Sequence, residues 1–193
     1  MSLHEMVQLA KERFPYKQRT QWNLTVSHKT RMRLNKEYNE MDAECHQSKL
    51  WIPKSKKPSP NEPQYMWLFP GLIMIAYIST GKAGKVNNGQ LFEVVEWIAG
   101  VVSADGVSGS AVLRDIESME VIELPLEFVR DNLRLGYAFT NVGCQGRSLG
   151  NFETDDTPKR GVTVWDTESI HFTLAHLFTG TSRSRSGELL QVV

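Results

Sequence analysis

The sequence has little cysteine: two residues, Cys45 and Cys144, in a chain of 193. Two thiols cannot build a disulfide framework, and this scarcity fits a reducing compartment. Zinc binding is disfavoured on spacing as well. Cys45-His46 has no second Cys-x-x-Cys or His pair at ligand spacing, and His171 and His176 do not stand at the four-residue interval that puts two ligands on one helix face. Long apolar runs are lacking too. The longest, Trp67 to Ile78, is interrupted by Pro70, Gly71 and Tyr77 and is too short to span a bilayer. No charged-then-apolar leader opens the chain, since Leu3 to Phe14 already carries His, Glu, Lys and Arg. The expectation is an intracellular protein (nuclear, cytoplasmic or virus-associated, not secreted) with no metal and no membrane partner.

Net charge is a further absence. Lys plus Arg is 22 and Asp plus Glu is 22. A neutral chain is not a histone-like or polybasic-tail binder. The zero hides an asymmetry: residues 1–60 hold 12 basic and 6 acidic side chains, whereas residues 61–193 hold 10 and 16. The basic front third is either ordinary solvated surface or a surface that meets an anion such as nucleic acid. Hydrophobic residues make up 40% of the chain, enough for a real core.

Periodicity then divides the chain. Leu3, Met6, Val7, Ala10 and Phe14 recur at helical spacing, so 3–14 is predicted as a short amphipathic helix closed by Pro15. Residues 23–27 are apolar and β-branched, a buried strand, and Lys29 to Glu44 reads as the helix entered from it through Ser27-His28. Strand, tight turn and helix are the grammar of α/β folds. Four prolines between Pro53 and Pro63, with Lys54, Lys56 and Lys57, mark an exposed basic loop. From Gly71 the grammar becomes β-rich: a strand over 72–78, an Asn87-Asn88-Gly89 turn, a strand over 90–97, and alternating stretches at 110–114 and 119–124. Leu133 to Phe139 reads as one strand, 143–149 as a loop entering a helical turn, and 161–165 as another buried strand. Ile170 to Phe178 reads as a helix and 187–193 as a terminal strand.

Several motifs invite chemistry and do not carry it. Gly81-Lys82-Ala83-Gly84-Lys85 suggests a phosphate loop, but that pattern requires Gly at 79 and Ser or Thr at 86, where this chain has Ser79 and Val86. It reads as a hairpin loop with two lysines. Asp155-Asp156 is a carboxylate pair in a polar loop, without an acid–base role. No Ser-His-Asp or Cys-His arrangement has a recognisable context. Trp51, Trp67, Trp97 and Tyr65 flank the basic loop, where they either stack on bases or pack the core. The tail segment from Thr179 to Ser186 differs, because Arg183 and Arg185 follow a helix and precede a strand. Arginine binds phosphate oxygens bidentately and keeps its charge.

Four segments, in order, resemble the second half of superfamily 1 DNA helicases of the RecD-like and viral type. Leu177-Phe-Thr-Gly-Thr-Ser-Arg-Ser-Arg-Ser186 resembles the family's last motif, and the segment from Leu135 to Gly146 (Leu-Gly-Tyr-Ala-Phe-Thr-Asn-Val-Gly-Cys-Gln-Gly) resembles the one before it. Residues 23–35 resemble the strand-to-helix opening of that domain. Gly71-Leu-Ile-Met-Ile with Val86 to Val94 resembles the β segment between them. The resemblance implies a RecA-like three-layer α/β domain with a parallel sheet, discontinuous over 1–70 and 126–193. Residues 71–125 would be a β-rich, small barrel-like insertion.

The resemblance also implies roles. Arg183 matches the arginine that reaches the γ-phosphate of ATP, the catalytic position of this half. Gln145 and Gly146 match the Gln-Gly pair near the nucleotide, and Arg185 is a second phosphate or structural arginine. Thr140 matches the threonine that contacts the DNA backbone, with His28 and Lys29 as further nucleic-acid contacts. Single-stranded DNA and a separate or upstream N-terminal RecA-like motor domain are the implied partners. The sequence departs from the family at Val142 and Gly143, where His and Lys or Arg are usual, and at Cys144, where Ser is common. It contains neither a Gly-x-x-x-x-Gly-Lys-Ser/Thr loop nor a matching Asp-Glu metal motif. ATP and Mg²⁺ are therefore expected only in the complete two-domain enzyme, with none bound by this chain alone. A motor-dead module for binding nucleic acid or protein, keeping the fold, is the alternative; the Val142 and Gly143 departures favour it.

Overall fold

The computed structural model describes residues 1–55, 64–80, 86–103, 106–140, 161–184 and 187–193. These fall into two compact units, one formed by Met1–Leu34 with Tyr137–Val193 and the other by Asn35–Gly136.

The first unit opens with α1 (Leu3–Arg13). Its N-terminus is closed by a capping box, in which Ser2 N–H donates to Glu5 Oε2 at 2.6 Å and Glu5 N–H to Ser2 Oγ at 3.3 Å. Strand β1 (Trp22–Thr25) is buried along its whole length and leads into α2 (His28–Glu44), which runs on into the second unit. Near the other end of the chain come β9 (Ala138–Thr140), β10 (Val162–Val164), α4 (Leu174–Arg183), a 3-10 turn (Gly187–Leu189) and β11 (Leu190–Val192). The four strands form one sheet in the order β11-β10-β1-β9, and every pair is parallel.

Strand register sorts this sheet into two unlike faces. Trp22, Leu24, Phe139, Val162, Val164, Leu190 and Val192 share one face. On that face Val164, Leu190 and Val192 cluster with Val7 of α1, Leu177 of α4 and Phe172 just before α4. The other face carries Asn23, Thr25, Thr140, Thr163 and Gln191. Buried parallel strands are usually apolar on both sides. Here the polar side chains find partners instead. After a parallel bridge from Pro15 to Val192 beside β11, Lys17 N–H donates to Gln191 Oε1 at 3.0 Å and Thr20 Oγ1 meets Thr163 Oγ1 at 2.6 Å, while Asn23 and Thr25 donate to the Tyr137 and Phe139 carbonyls.

The second unit is mainly antiparallel. Strands β4 (Ile73–Ala76), β5 (Leu91–Val102), β6 (Val107–Asp115), β7 (Val121–Pro125) and β8 (Leu133–Leu135) make a sheet ordered β7-β6-β5-β4-β8. Helix α3 (Leu126–Asn132) joins β7 to β8, and β2 (Leu50–Ile52) pairs separately with β3 (Met66–Leu68). Gly109 sits at φ +112°, where an added Cβ would strike Ile98 O, so only glycine fits this bend of β6.

The fold is thus a parallel-sheet α/β core with an antiparallel β-rich sheet, as the sequence implied. Three details differ from the sequence reading. The predicted strand over Leu133–Phe139 is two strands in different sheets, split at Gly136, whose N–H donates to Ile73 O at 2.9 Å. The predicted helix over 170–178 lies further along, at 174–183, because residues 166–172 turn through Ser169 N–H to Asp166 O and Phe172 N–H to Ser169 O. The terminal strand begins only at Leu190. The readings at 81–85, 143–149 and 155–156, and the prolines at 58, 60 and 63, lie outside the described residues.

Candidate functional site

In a parallel sheet the loops leaving the strands gather at one edge, and α/β domains place ligands there. Three strands of the first unit end at this edge close to one another. Strand β9 ends at Thr140, β1 at Thr25, and β10 passes into Trp165 and Asp166.

The loop from β1 into α2 is held by a single carboxylate. Asp166 Oδ2 accepts from the main-chain N–H groups of Val26 (3.0 Å) and Ser27 (2.9 Å), and Oδ1 accepts from Thr30 Oγ1 (2.6 Å). Ser27 caps the helix, with Thr30 N–H donating to its Oγ at 3.0 Å. The clamp sets the next two residues, His28 and Lys29, exposed on the first turn of α2. On the strand behind, Thr25 Oγ1 is within 3.2 Å of Phe139 O, joining β1 to β9. Thr140, His28 and Lys29 therefore share the finishing edge of neighbouring strands.

Arg183 is placed elsewhere. It is the last residue of α4, half-buried, on the run that carries the chain back to the start of β11. Helix α4 lies close to β10: a Cβ on Gly180 would come within 2.5 Å of Val164 Cγ2. The small residue before Thr181-Ser182-Arg183 thus fits a close helix–sheet approach. Gln145, Gly146 and Arg185 lie outside the described residues, as do Val142 and Gly143.

The aromatic candidates of the sequence fall in the second unit. Trp51 faces Trp67 across the β2–β3 ladder, and Lys49 stands 5.4 Å from the Trp67 ring centre. Lys36 lies over Tyr65 at 5.7 Å, and hydrogen bonding to the tyrosine side chain, with the charges of Tyr65 and Glu40 adding to it, raises the lysine's pKa. Sequence reasoning missed Asp166 and Trp165 as members of the edge. The alternation of polar Asn23 and Thr25 in a buried strand was the available signal, since those groups need partners. Among the described residues, no group of three His, Cys, Asp or Glu side chains is placed to hold a metal ion. No helix among them is long and apolar enough to cross a membrane.

A parallel sheet of this order, with a β-rich unit between α2 and β9, has the architecture of a RecA-like domain carrying an insertion. Among solved structures the chain is similar to Pif1 helicases. It superposes on one from a study of DNA unwinding at forked duplexes by two coordinating Pif1 helicases, with a TM-score of 0.61 and 14% identity. The match covers 97% of this chain and 42% of that one. Pif1 helicase from Candida albicans gives 0.62 at 11% identity, covering 98% and 49%. A Bacteroides Pif1 helicase in complex with ADP-AlF3 and ssDNA gives 0.54 at 16%, covering 98% and 45%. The chain therefore spans less than half the length of these helicases. No family model and no curated protein matches the sequence.

Proposed function

We propose that this chain is the second RecA-like half of a superfamily 1 DNA helicase of the RecD-like or viral type. The observation that carries the reading is the fold likeness to Pif1 helicases over nearly the whole chain, together with motif-like segments in the family's order. In this reading Thr140, His28 and Lys29 form part of a single-stranded DNA track. Arg183, on a different part of the same unit, stabilises charge on the γ-phosphate of ATP held by a motor domain. Gln145, Gly146 and Arg185 belong to that nucleotide side, in a replication or repair enzyme. Separate places for DNA and nucleotide are what a translocating motor needs, because grip on one must change as the other turns over. The chain supplies the arginine and not the phosphate loop, so it does not hydrolyse ATP by itself. One Bacteroides neighbour was solved with both ADP-AlF3 and ssDNA, which supports an interest in both ligands.

The test is reconstitution. The chain is mixed with the phosphate-loop half of a Pif1 helicase, and ATP hydrolysis is measured with and without oligo(dT). Hydrolysis stimulated by DNA is expected only in the mixture. Arg183→Ala is expected to reduce it by about 10³-fold or more, the range of an arginine finger. A restored activity indifferent to Arg183→Ala overturns the assignment. DNA binding without any ATP-dependent change in the mixture supports instead the interaction module, which the Val142 and Gly143 departures favour.

A further inference from the structure

The finishing edge of the parallel sheet carries a set of groups beyond Thr140, His28 and Lys29. Trp165, directly after β10, is fixed by its ring nitrogen: Nε1 donates to Asn23 Oδ1 at 2.8 Å. Asn23 is fully buried and in turn donates to Tyr137 O at 2.9 Å, so the ring is anchored to the interior of the sheet. Tyr16 packs on Trp165 with ring centres 5.7 Å apart and planes at 61°. Tyr16 is itself held in place, since Pro15 before it bridges to Val192 and the Lys17 N–H after it donates to Gln191 Oε1. Yet Tyr16 is 46% exposed.

Two cations adjoin this pair, Arg33 beside Trp165 and Lys17 next in the chain to Tyr16, and the neighbouring Asp166 carboxylate is taken up by Val26, Ser27 and Thr30. The Arg33 guanidinium stands 5.8 Å from the Trp165 ring centre. Arg33 and Lys17 are exposed, and Lys29 lies one turn before Arg33 on α2. An exposed aromatic on a rigid mount, flanked by positive charge, suits one chemistry: a base with a free π-face on a backbone of phosphates. A duplex hides its base faces inside the stack. An acidic peptide would use the cations and leave the ring idle.

We propose that Tyr16, propped by Trp165, stacks a base of single-stranded DNA whose phosphates are held by Arg33 and Lys17. The DNA track then continues from β9 and β1 onto β10. This rests on the reading that the strand-finishing edge carries DNA. Trp165 is a positioning residue and Tyr16 the contact.

The experiment uses the full chain and a short labelled oligo(dT), with affinity read by fluorescence anisotropy. Tyr16→Ala is expected to weaken binding about 5- to 100-fold, the effect of losing one base–aromatic stack, and Tyr16→Phe to leave it near wild type. Trp165→Ala is expected to match Tyr16→Ala, with no further loss in the double variant, and Trp165→Phe to recover most of the affinity. An oligonucleotide carrying 5-iododeoxyuridine should crosslink to Tyr16 under long-wave ultraviolet light, a readout that a merely structural tyrosine would not give. If Trp165→Ala does not fold, Tyr16→Ala, Arg33→Ala and the crosslink decide alone. Loss of affinity in Lys29→Ala and Thr140→Ala, with Tyr16→Ala and Arg33→Ala at wild-type affinity and no crosslink, overturns the proposal and leaves the helicase reading standing. Failure of the wild-type chain to bind oligo(dT) overturns both. Preference for oligo(U) over oligo(dT) overturns the assignment to DNA.

Discussion

Gly180 shows how one missing side chain sets the geometry around the proposed arginine finger. Alanine there would gain about 1 kcal/mol of helix propensity. Its Cβ, however, would meet Val164 Cγ2 at 2.5 Å, and a β-branched side chain has little freedom to turn away. Overpacking of this kind costs about 1–3 kcal/mol. Gly180→Ala is therefore expected to be neutral to destabilising, by about 0–2 kcal/mol, seen as an unchanged or lower urea midpoint at unchanged m-value. A raised midpoint would mean that α4 is not seated against β10. Asp115 makes a second case, this time of charge. Burial pushes its pKa up, but N–H groups of Ser118 and Glu117, both at 2.7 Å, and the Gln90 amide outweigh that and hold it below the usual carboxylate value. A lowered folded pKa means that the unfolded chain takes up the proton first as the pH falls. The contribution is full above about pH 4, the unfolded value, and is lost as the pH drops through the folded value. Asp115→Asn should therefore be less stable at pH 7, by about 1–2 kcal/mol, and should show a shallower loss of stability below pH 4. Parallel pH profiles for the two proteins would remove Asp115 as the source.

At the scale of elements, the loop between β1 and α2 depends on a residue more than a hundred positions away. Asp166 accepts three hydrogen bonds from that loop and adopts φ +62°, a left-handed conformation that aspartate tolerates better than most residues. Asp166→Ala loses the three hydrogen bonds and adds backbone strain, for an expected cost of about 2–3 kcal/mol. Hydrogen exchange at Val26 and Ser27 should accelerate, and oligo(dT) affinity should fall, because His28 and Lys29 lose their mount. Unchanged exchange at those two amides would show that Ser27 alone holds the turn. No local pattern in 23–30 announces this clamp, which is why the sequence reading found the strand and the helix but not their fastener. The legible elements are those whose pattern is self-contained. The apolar spacing of α1, the apolar and β-branched residues of β1 and β10, and the Asn-Gly turn before β5 each carry their own signal. Leu133–Phe139 misled for the opposite reason: its apolar run is continuous, and the change of sheet at Gly136 follows from the Ile73 backbone beside it. The polar face of the parallel sheet was equally hidden, since only the partners supplied by Lys17 and Thr20 explain how Thr163 and Gln191 are buried.

For the whole molecule, the candidate site was half legible. Motif order pointed to Thr140, His28, Lys29 and Arg183, while Tyr16, Trp165 and Asp166 emerge only when the strands are assembled. The charge balance now acquires a sharper use. Zero net charge gives the chain no long-range pull on a polyanion, so attraction to DNA has to come from local groups of cations, and the proposed track supplies them at the strand-finishing edge. Each phosphate contact on a single strand contributes a slope of about −0.7 to log K against log salt. Three contacts, from Lys29, Arg33 and Lys17, predict a slope near −2 for oligo(dT). Engagement of the basic front third as a whole, with its 12 basic side chains, would give a far steeper dependence. Arg33→Ala should reduce the slope by about 0.7. Tyr16→Ala should lower the affinity at every salt concentration and leave the slope unchanged, because stacking releases no counterions. A steep slope insensitive to Arg33→Ala would move the DNA away from this edge and onto the other basic residues of the front third, whatever the affinity.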